Sequence, residues 1–376
     1  MIIIQPVQAQ EQMEDVILGK RINFQSEILE EERQIMVYLP TGYHQTKTKY
    51  PVLYLLDGRA HFQHASSTIQ FLSRNGRIPQ LIVVAIVNVD RTRDFTPTTT
   101  EQRPQSGGAK KFIEFMQSEL FPMIENNYRT VPYRILEGHS LGGMFNVLAL
   151  FEHPEMFQAH VAISPYVMWD ENYVLNQALK KLQEPVTYKN FIYMTLGNEP
   201  NYVEPLGQLT KELETKKPAG LEWHYEVMDN DNHSTVPLKS LYNGLETLYK
   251  DWQVKAAVAD QGIVSVENHY KKLSEKFGYK VEIPENVLNA MGYRAIGQKK
   301  LDLAIEFFLH NVKLYPESAN VYDSLGEGYE AAGEFELAKE NYEKAIEIGT
   351  KLKDRNLAIY KEHLDNVTNK INESKS

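Results

Sequence analysis

Hydrophobic and polar residues follow two different rhythms along this chain. From about residue 20 to 255, short apolar runs alternate with stretches of helical spacing. An alternating segment ends at Val37-Tyr38-Leu39, after a polar turn at Glu30-Glu31-Glu32. Apolar runs follow at 51–56, 81–87, 134–136, 161–163, 191–196 and 223–227. They are rich in Val, Ile, Leu and Tyr and are bounded by Gly, Pro, Asn or Asp. That pattern predicts buried strands of a mainly parallel sheet. Between them, 111–126, 142–152, 174–183 and 206–216 carry helical spacing. Strand–helix alternation predicts a doubly wound α/β domain, its sheet flanked by helices. The first two runs, ending at Leu39 and Leu56, have no helix between them. They are expected to pair as an antiparallel hairpin at one edge.

Beyond about residue 284 no strand-like run remains, and the apolar spacing is helical throughout. A repeat is also present. Gly292, Ala304 and Phe308 recur as Gly326, Ala338 and Tyr342, each 34 positions later, and Leu288 and Met291 recur as Tyr322 and Leu325. Period and phase match the tetratricopeptide pattern. Small residues at Gly292, Gly326, Ala304 and Ala338 let antiparallel helices approach closely. The expected organisation is an N-terminal segment over 1–19, an α/β domain over 20–255 and a connecting helical segment over 256–283. Two tetratricopeptide repeats over 284–352 follow, then a capping helix and tail over 353–376.

Composition narrows the function classes. The formal charge of −10 disfavours a nucleic-acid partner, which needs a basic face. No stretch approaches the roughly 18 apolar residues of a membrane helix, so no integral membrane segment is expected. Cysteine is absent, which removes disulfides, a thiol nucleophile and cysteine-ligated metals. The start, Ile2 to Ile4 with Ala9, reads as the remnant of an export signal, although a charged leader is missing. Export to the periplasm or beyond is favoured over a cytoplasmic location.

The sharpest chemical signal is Gly138-His139-Ser140-Leu141-Gly142, followed by Gly143. It lies directly after a strand and before an apolar helix, the setting of a nucleophile elbow. Glycines at 138 and 142 remove side chains that would collide at so tight a bend. The helix start behind Ser140 offers backbone N–H groups to a developing oxyanion. A serine nucleophile needs a base, and in such folds the chain order is nucleophile, acid, histidine. His233 fits, in the polar loop 229–234 just past a strand. His224 sits in a strand pattern, and His269, His310 and His363 lie in the helical region. The acid is expected at the end of the preceding strand, at Glu199, with Glu204 the runner-up. Asp229 and Asp231 are expected to shape the His233 turn.

The backbone N–H groups of Leu141 and Arg59 are the candidate oxyanion donors, Arg59 because it follows the strand 51–56 in the turn Asp57-Gly58-Arg59. Gly58, Tyr166, Trp169 and Arg93 are the candidates for contact with substrate, and Arg91 beside Arg93 is a further group suited to an acidic part of it. Trp169 has an equal alternative in the core, and Arg91 and Arg93 an alternative in surface salt bridges. His61 and His64 lie three apart without a third ligand nearby, so no metal is expected there.

These residues carry a resemblance. Residues 20–255 resemble the branch of the α/β-hydrolases that contains enterochelin-type siderophore esterases, feruloyl esterases, S-formylglutathione hydrolases and mycolyltransferases. The resemblance rests on Tyr54-Leu55-Leu56-Asp57-Gly58, Arg91-Thr92-Arg93-Asp94, the Gly138 to Gly143 motif, Ile163-Ser164-Pro165 and His233. It is nearest to siderophore-esterase-like serine hydrolases. It implies an α/β-hydrolase fold, a nucleophile at Ser140, a base at His233 and an acid at the Glu199 loop, where many relatives use Asp. The expected activity is hydrolysis of a small-molecule carboxylic ester through an acyl-enzyme, with no cofactor. Acyl transfer from the same acyl-enzyme is the nearest alternative. The other is an interaction protein whose tetratricopeptide region binds a peptide partner or a second copy.

Overall fold

Among the described residues, 15–374 of a computed structural model, the apolar runs become one eight-stranded sheet. The strands are β1 (Lys20–Ser26), β2 (Glu31–Tyr38), β3 (Tyr50–Leu55), β4 (Ile82–Val87), β5 (Thr130–His139), β6 (Ala159–Ile163), β7 (Asn190–Leu196) and β8 (Leu221–Val227). Their spatial order is β1-β2-β4-β3-β5-β6-β7-β8. Every pairing from β4 to β8 is parallel, while β1–β2 and β2–β4 are antiparallel. The stretch read as an export signal, Ile2 to Ala9, lies outside the described residues. No helix among the described residues is long and apolar enough to cross a membrane.

Burial explains which strands were easy to read. β3, β4, β6 and β7 are buried along their whole length, because helices cover both faces of the sheet. The outer strands β1 and β8 are largely half-buried or exposed, and their sequences are correspondingly mixed. The expected hairpin between the first two runs is not formed. β4 inserts between β2 and β3, and the edge hairpin is instead β1–β2, closed in the register Ser26 to Glu31. The polar strand Lys20–Ser26 supplies that outer edge, which frees the fully apolar β3 to run inside the sheet.

Charged residues tie this edge down. Arg33 of β2 is almost fully buried and donates to Glu31 and Asp94, each at 2.8 Å. Its guanidinium also lies 5.4 Å from the ring centres of Phe112 and Phe115.

A second buried polar group supports the central helix, Leu141–Glu152. Asn146 donates to the carbonyls of Leu136 and Val161 at 2.9 and 2.8 Å, and its oxygen meets His160 Nδ1 at 2.6 Å. Desolvation pushes the pKa of His160 down to about 3.

The chain divides into two compact units between Trp252 and Gln253. The second is helical, with its main helices at Ile263–Phe277, Glu285–Gly297, Leu301–Leu314, Ala319–Ala331, Phe335–Leu352 and Leu357–Ser374. The glycines of the 34-residue repeat sit where these helices touch. A Cβ on Gly292 would lie 2.3 Å from the Phe308 ring, and one on Gly326 would lie 2.5 Å from the Tyr342 ring. Ala304, Phe308, Ala338 and Tyr342 are fully buried.

His160 makes the first unit acid-sensitive in a defined direction. The unfolded chain binds a proton near pH 6.5, while the folded site resists it down to about 3. This share of the stability is complete above about pH 6.5 and is lost progressively as pH falls toward 3. The variant His160→Leu is expected to melt at a lower temperature at pH 7, yet to lose less on further acidification to about pH 4.5. Melting curves at several pH values would show this as a flatter slope; a slope equal to that of the parent would exclude it.

Candidate functional site

Ser140 lies between β5 and the helix Leu141–Glu152, with φ 61° and ψ −115°. That left-handed backbone is rare for a residue with a side chain and marks a tight, strained turn. Its own hydrogen bonds hold it there. Ser140 N–H donates to Ile163 O at 2.9 Å, and Ser140 O accepts from Met144 N–H at 2.9 Å and Tyr166 N–H at 3.1 Å. The neighbouring glycines are required by contact. A Cβ on Gly138 would lie 2.3 Å from Gly142 O, and one on Gly143 would lie 2.6 Å from Ile163 O.

His233 and Glu199 come together as expected. His233 follows β8, and its Nδ1 is hydrogen-bonded to Glu199 Oε1. Glu199 follows β7; its other oxygen accepts from the Ser164 hydroxyl and, at 3.0 Å, from Gly197 N–H. The Glu199 side chain is 7% exposed and that of His233 is 40% exposed. The carboxylate is thus an enclosed anchor, and the imidazole keeps Nε2 available for proton exchange. Among the described residues, Ser140 Oγ makes no hydrogen bond to His233. Such bonds often tighten only when substrate binds. The alternative acid Glu204 is not at the site, for it lies on an exposed helix face and accepts from Gln208 at 2.6 Å. Asp231 shapes the His233 loop, accepting from Thr235 and Lys239.

The N–H groups of Leu141 and Arg59 both stand at helix starts. Among the described residues neither has a backbone acceptor. Gly58 begins the helix Gly58–Arg74, and a Cβ there would lie 2.8 Å from Ile86 O. It is a packing glycine under the loop. Next to it is a cavity of about 320 Å³ lined by Asp57, Arg59, His61, Asn88, Arg91 and His139.

Two of the residues expected to face substrate do other work. Arg93 is bound by Glu31 at 2.9 Å and Asp94 at 2.8 Å, so its guanidinium belongs to the buried edge network. Trp169 is 8% exposed and donates from its indole to Thr98 at 3.0 Å, which places it in the core. Tyr166 remains half-buried beside the elbow, its ring 5.8 Å from that of Tyr202.

Several other groups stand around the elbow. Arg91, rather than Arg93, reaches the elbow. Its Nε and NH2 donate to the two Asp57 oxygens at 2.7 and 3.0 Å, and NH2 also donates to His139 O at 2.9 Å. The His139 ring lies 4.3 Å from that of His233 and 5.9 Å from that of His61. His61 in turn is hydrogen-bonded to His64 at 2.9 Å. Burial first, then the neighbouring His233 and His61, push the pKa of His139 down to about 3. Burial likewise lowers His61, and lowers His64 to about 4. Three neutral imidazoles thus line up behind the half-exposed one. Glu137, three residues before Ser140, is fully buried, and among the described residues neither of its oxygens has a partner. Desolvation, then the nearby Asp57, raise its pKa well above the usual carboxylate range.

The sheet and the elbow together define an α/β-hydrolase fold. The chain belongs to the family described as "Putative esterase", which it matches over residues 26–235. It is 28% identical over 220 residues to the ferri-bacillibactin esterase BesA of Bacillus subtilis (strain 168), covering 53% of this chain and 68% of that one. It is 26% identical over 140 residues to the siderophore triacetylfusarinine C esterase of Aspergillus fumigatus, covering 34% of this chain and 48% of that one. Among solved structures it is similar to an IroE-like serine hydrolase from Shewanella oneidensis. There the identity is 28% and the TM-score 0.71, over 79% of this chain and 99% of the other. The protein is a carboxylic-ester hydrolase.

The Arg91 clamp gives a prediction. Arg91→Ala removes three hydrogen bonds and leaves the Asp57 side chain, only 10% exposed, with Asn88 as its remaining side-chain partner. Urea unfolding should show a loss of about 2–4 kcal/mol. Arg91→Lys should recover only part of it, since an ammonium cannot reproduce the paired geometry. An unfolding midpoint unchanged in the alanine variant would rule out a structural role for the clamp.

Proposed function

We propose that Ser140 is the nucleophile, His233 its general base and Glu199 the carboxylate that orients the base. The observation that carries this reading is the strained Ser140 elbow set among the same loop ends as a His233–Glu199 pair. Glu199 holds the proton of His233 on Nδ1, so Nε2 can accept the proton of Ser140 as its oxygen attacks the ester carbonyl. The carbonyl electrons move onto oxygen, where the N–H groups of Leu141 and Arg59 stabilise the oxyanion. Collapse expels the alcohol, which takes the proton from His233. Water then repeats the sequence on the acyl-enzyme and releases the acid.

The substrate class we propose is a small-molecule ester of the siderophore type. Support comes from the ferri-bacillibactin and triacetylfusarinine C esterases among the relatives. For the second unit we propose two tetratricopeptide repeats over 284–352 and a capping helix beyond them, supported by the paired contacts of Gly292 with Phe308 and Gly326 with Tyr342.

Ser140→Ala is expected to lower ester turnover by about 10⁴-fold or more while leaving the melting temperature near that of the parent. Glu199→Gln should keep the nucleophile in place but weaken turnover by about 10²–10⁴-fold, because the base loses its tautomer control. Fluorophosphonate labelling mapped by mass spectrometry would locate the reactive serine. Full turnover in Ser140→Ala, or an adduct at another serine, would overturn the assignment. Product analysis with added alcohols separates hydrolysis from acyl transfer, and an ester panel including siderophore, feruloyl and acetyl esters tests the substrate class.

A further inference from the structure

One polar side chain at the elbow has no place in the mechanism above. Tyr202 lies in the first turn of the helix Pro200–Lys216, three residues after Glu199, and its N–H donates to Glu199 O at 3.0 Å. The turn points it back over the site. Its ring is 5.8 Å from the His233 ring and 5.8 Å from the Tyr166 ring. Its phenol is near enough to the Ser140 side chain to interact with it electrostatically. A phenol thus stands beside the His233 ring, on the loop next to it.

The position of that phenol selects among its roles. The N–H groups of Leu141 and Arg59 come from the loops after β5 and β3. Tyr202 and His233 come from the loops after β7 and β8, at the other end of the row of strands. The imidazole delivers its proton to the departing oxygen, not to the oxyanion. A donor packed beside the imidazole is placed to meet the same departing oxygen.

We propose that Tyr202 is a further catalytic residue, donating a hydrogen bond to the alkoxy oxygen of the ester as the acyl–oxygen bond breaks. The inference rests on Ser140 being the nucleophile. As the tetrahedral intermediate collapses, the carbonyl re-forms and the electron pair of the acyl–oxygen bond passes to the alkoxy oxygen. The proton on His233 moves to that oxygen, and the proton of Tyr202 stays on the phenol, so no extra acid is consumed. Burial first, then the Glu199 carboxylate, raise the phenol pKa above its ordinary value of 10.0. The group thus remains a donor across the neutral range. A direct hydrogen bond to a developing alkoxide matters most when the alcohol is a poor leaving group.

The test is Tyr202→Phe, which keeps the ring and its packing. The reading is kcat/KM, which reports acylation, for esters sharing one acyl group but differing in alcohol, from p-nitrophenyl to ethyl. The expected loss is about 10–100-fold for the ethyl ester and less than about threefold for the p-nitrophenyl ester, whose alcohol leaves without help. A loss equal across the series overturns the proposal and makes Tyr202 an oxyanion or binding group instead. No loss anywhere also overturns it. Fluorophosphonate labelling keeps the two readings apart. Normal labelling at Ser140 in both proteins, with a flat series, removes Tyr202 alone, whereas failure to label Ser140 in the parent protein removes the nucleophile assignment itself.

Discussion

The first unit is arranged around a backbone that a side-chain-bearing residue adopts only under constraint. The Ser140 conformation, φ 61° and ψ −115°, costs on the order of 1–3 kcal/mol against a relaxed turn. Neighbours must over-determine it. Ile163 O, Met144 N–H and Tyr166 N–H take up its backbone groups, and Arg91 fixes the carbonyl of the preceding residue. The close approaches at Gly138 and Gly143 follow from the same bend, since a strand and a helix joined so abruptly leave no room for a Cβ. The buried His160–Asn146 pair then locks the helix onto β5 and β6.

Parallel strands all end on the same side of a sheet, so their loops form a row. The spatial order β4-β3-β5-β6-β7-β8 is the order in which the site is laid out. Arg91 comes after β4, Asp57 after β3, Ser140 after β5, Ser164 after β6, Glu199 after β7 and His233 after β8. Hydrogen bonds run along much of the row, from Arg91 to Asp57 and to the elbow, and from Ser164 through Glu199 to His233. Each loop is positioned by its neighbour in space rather than by its neighbour in the chain.

That geometry explains what could and could not be read beforehand. Runs such as 51–56 and 81–87 were legible because burial on both faces makes a strand uniformly apolar. The edge strand β1 was hidden by its mixed composition, and the expected β2–β3 hairpin failed because adjacency in sequence does not fix order in a sheet. The elbow and the polar loops that carry His233 and Glu199 are local patterns, and the two loops meet in the structure through the His233–Glu199 hydrogen bond. Arg91 and Arg93 look alike in the sequence, with no local reason to choose between them. Two positions apart on a helix are about 200° apart in direction, so only one of the two arginines can face the elbow. Tyr202 and the His61–His139 contact carry no local signal at all. Their meaning arises only when residues tens of positions apart in sequence are brought to one loop row.

Glu137 changes the accounting of charge. The formal charge of −10 counts it as an anion, but a carboxylate without partners in a fully buried strand would be far more costly than the neutral acid. Burial without a partner therefore favours the protonated form of Glu137 in the folded chain, which removes a negative charge that the formula counts from beneath the Ser140 turn. Unfolding exposes this group, which must then give up its proton to the buffer. The heat absorbed when the esterase unit melts therefore includes the ionisation enthalpy of whatever buffer surrounds it.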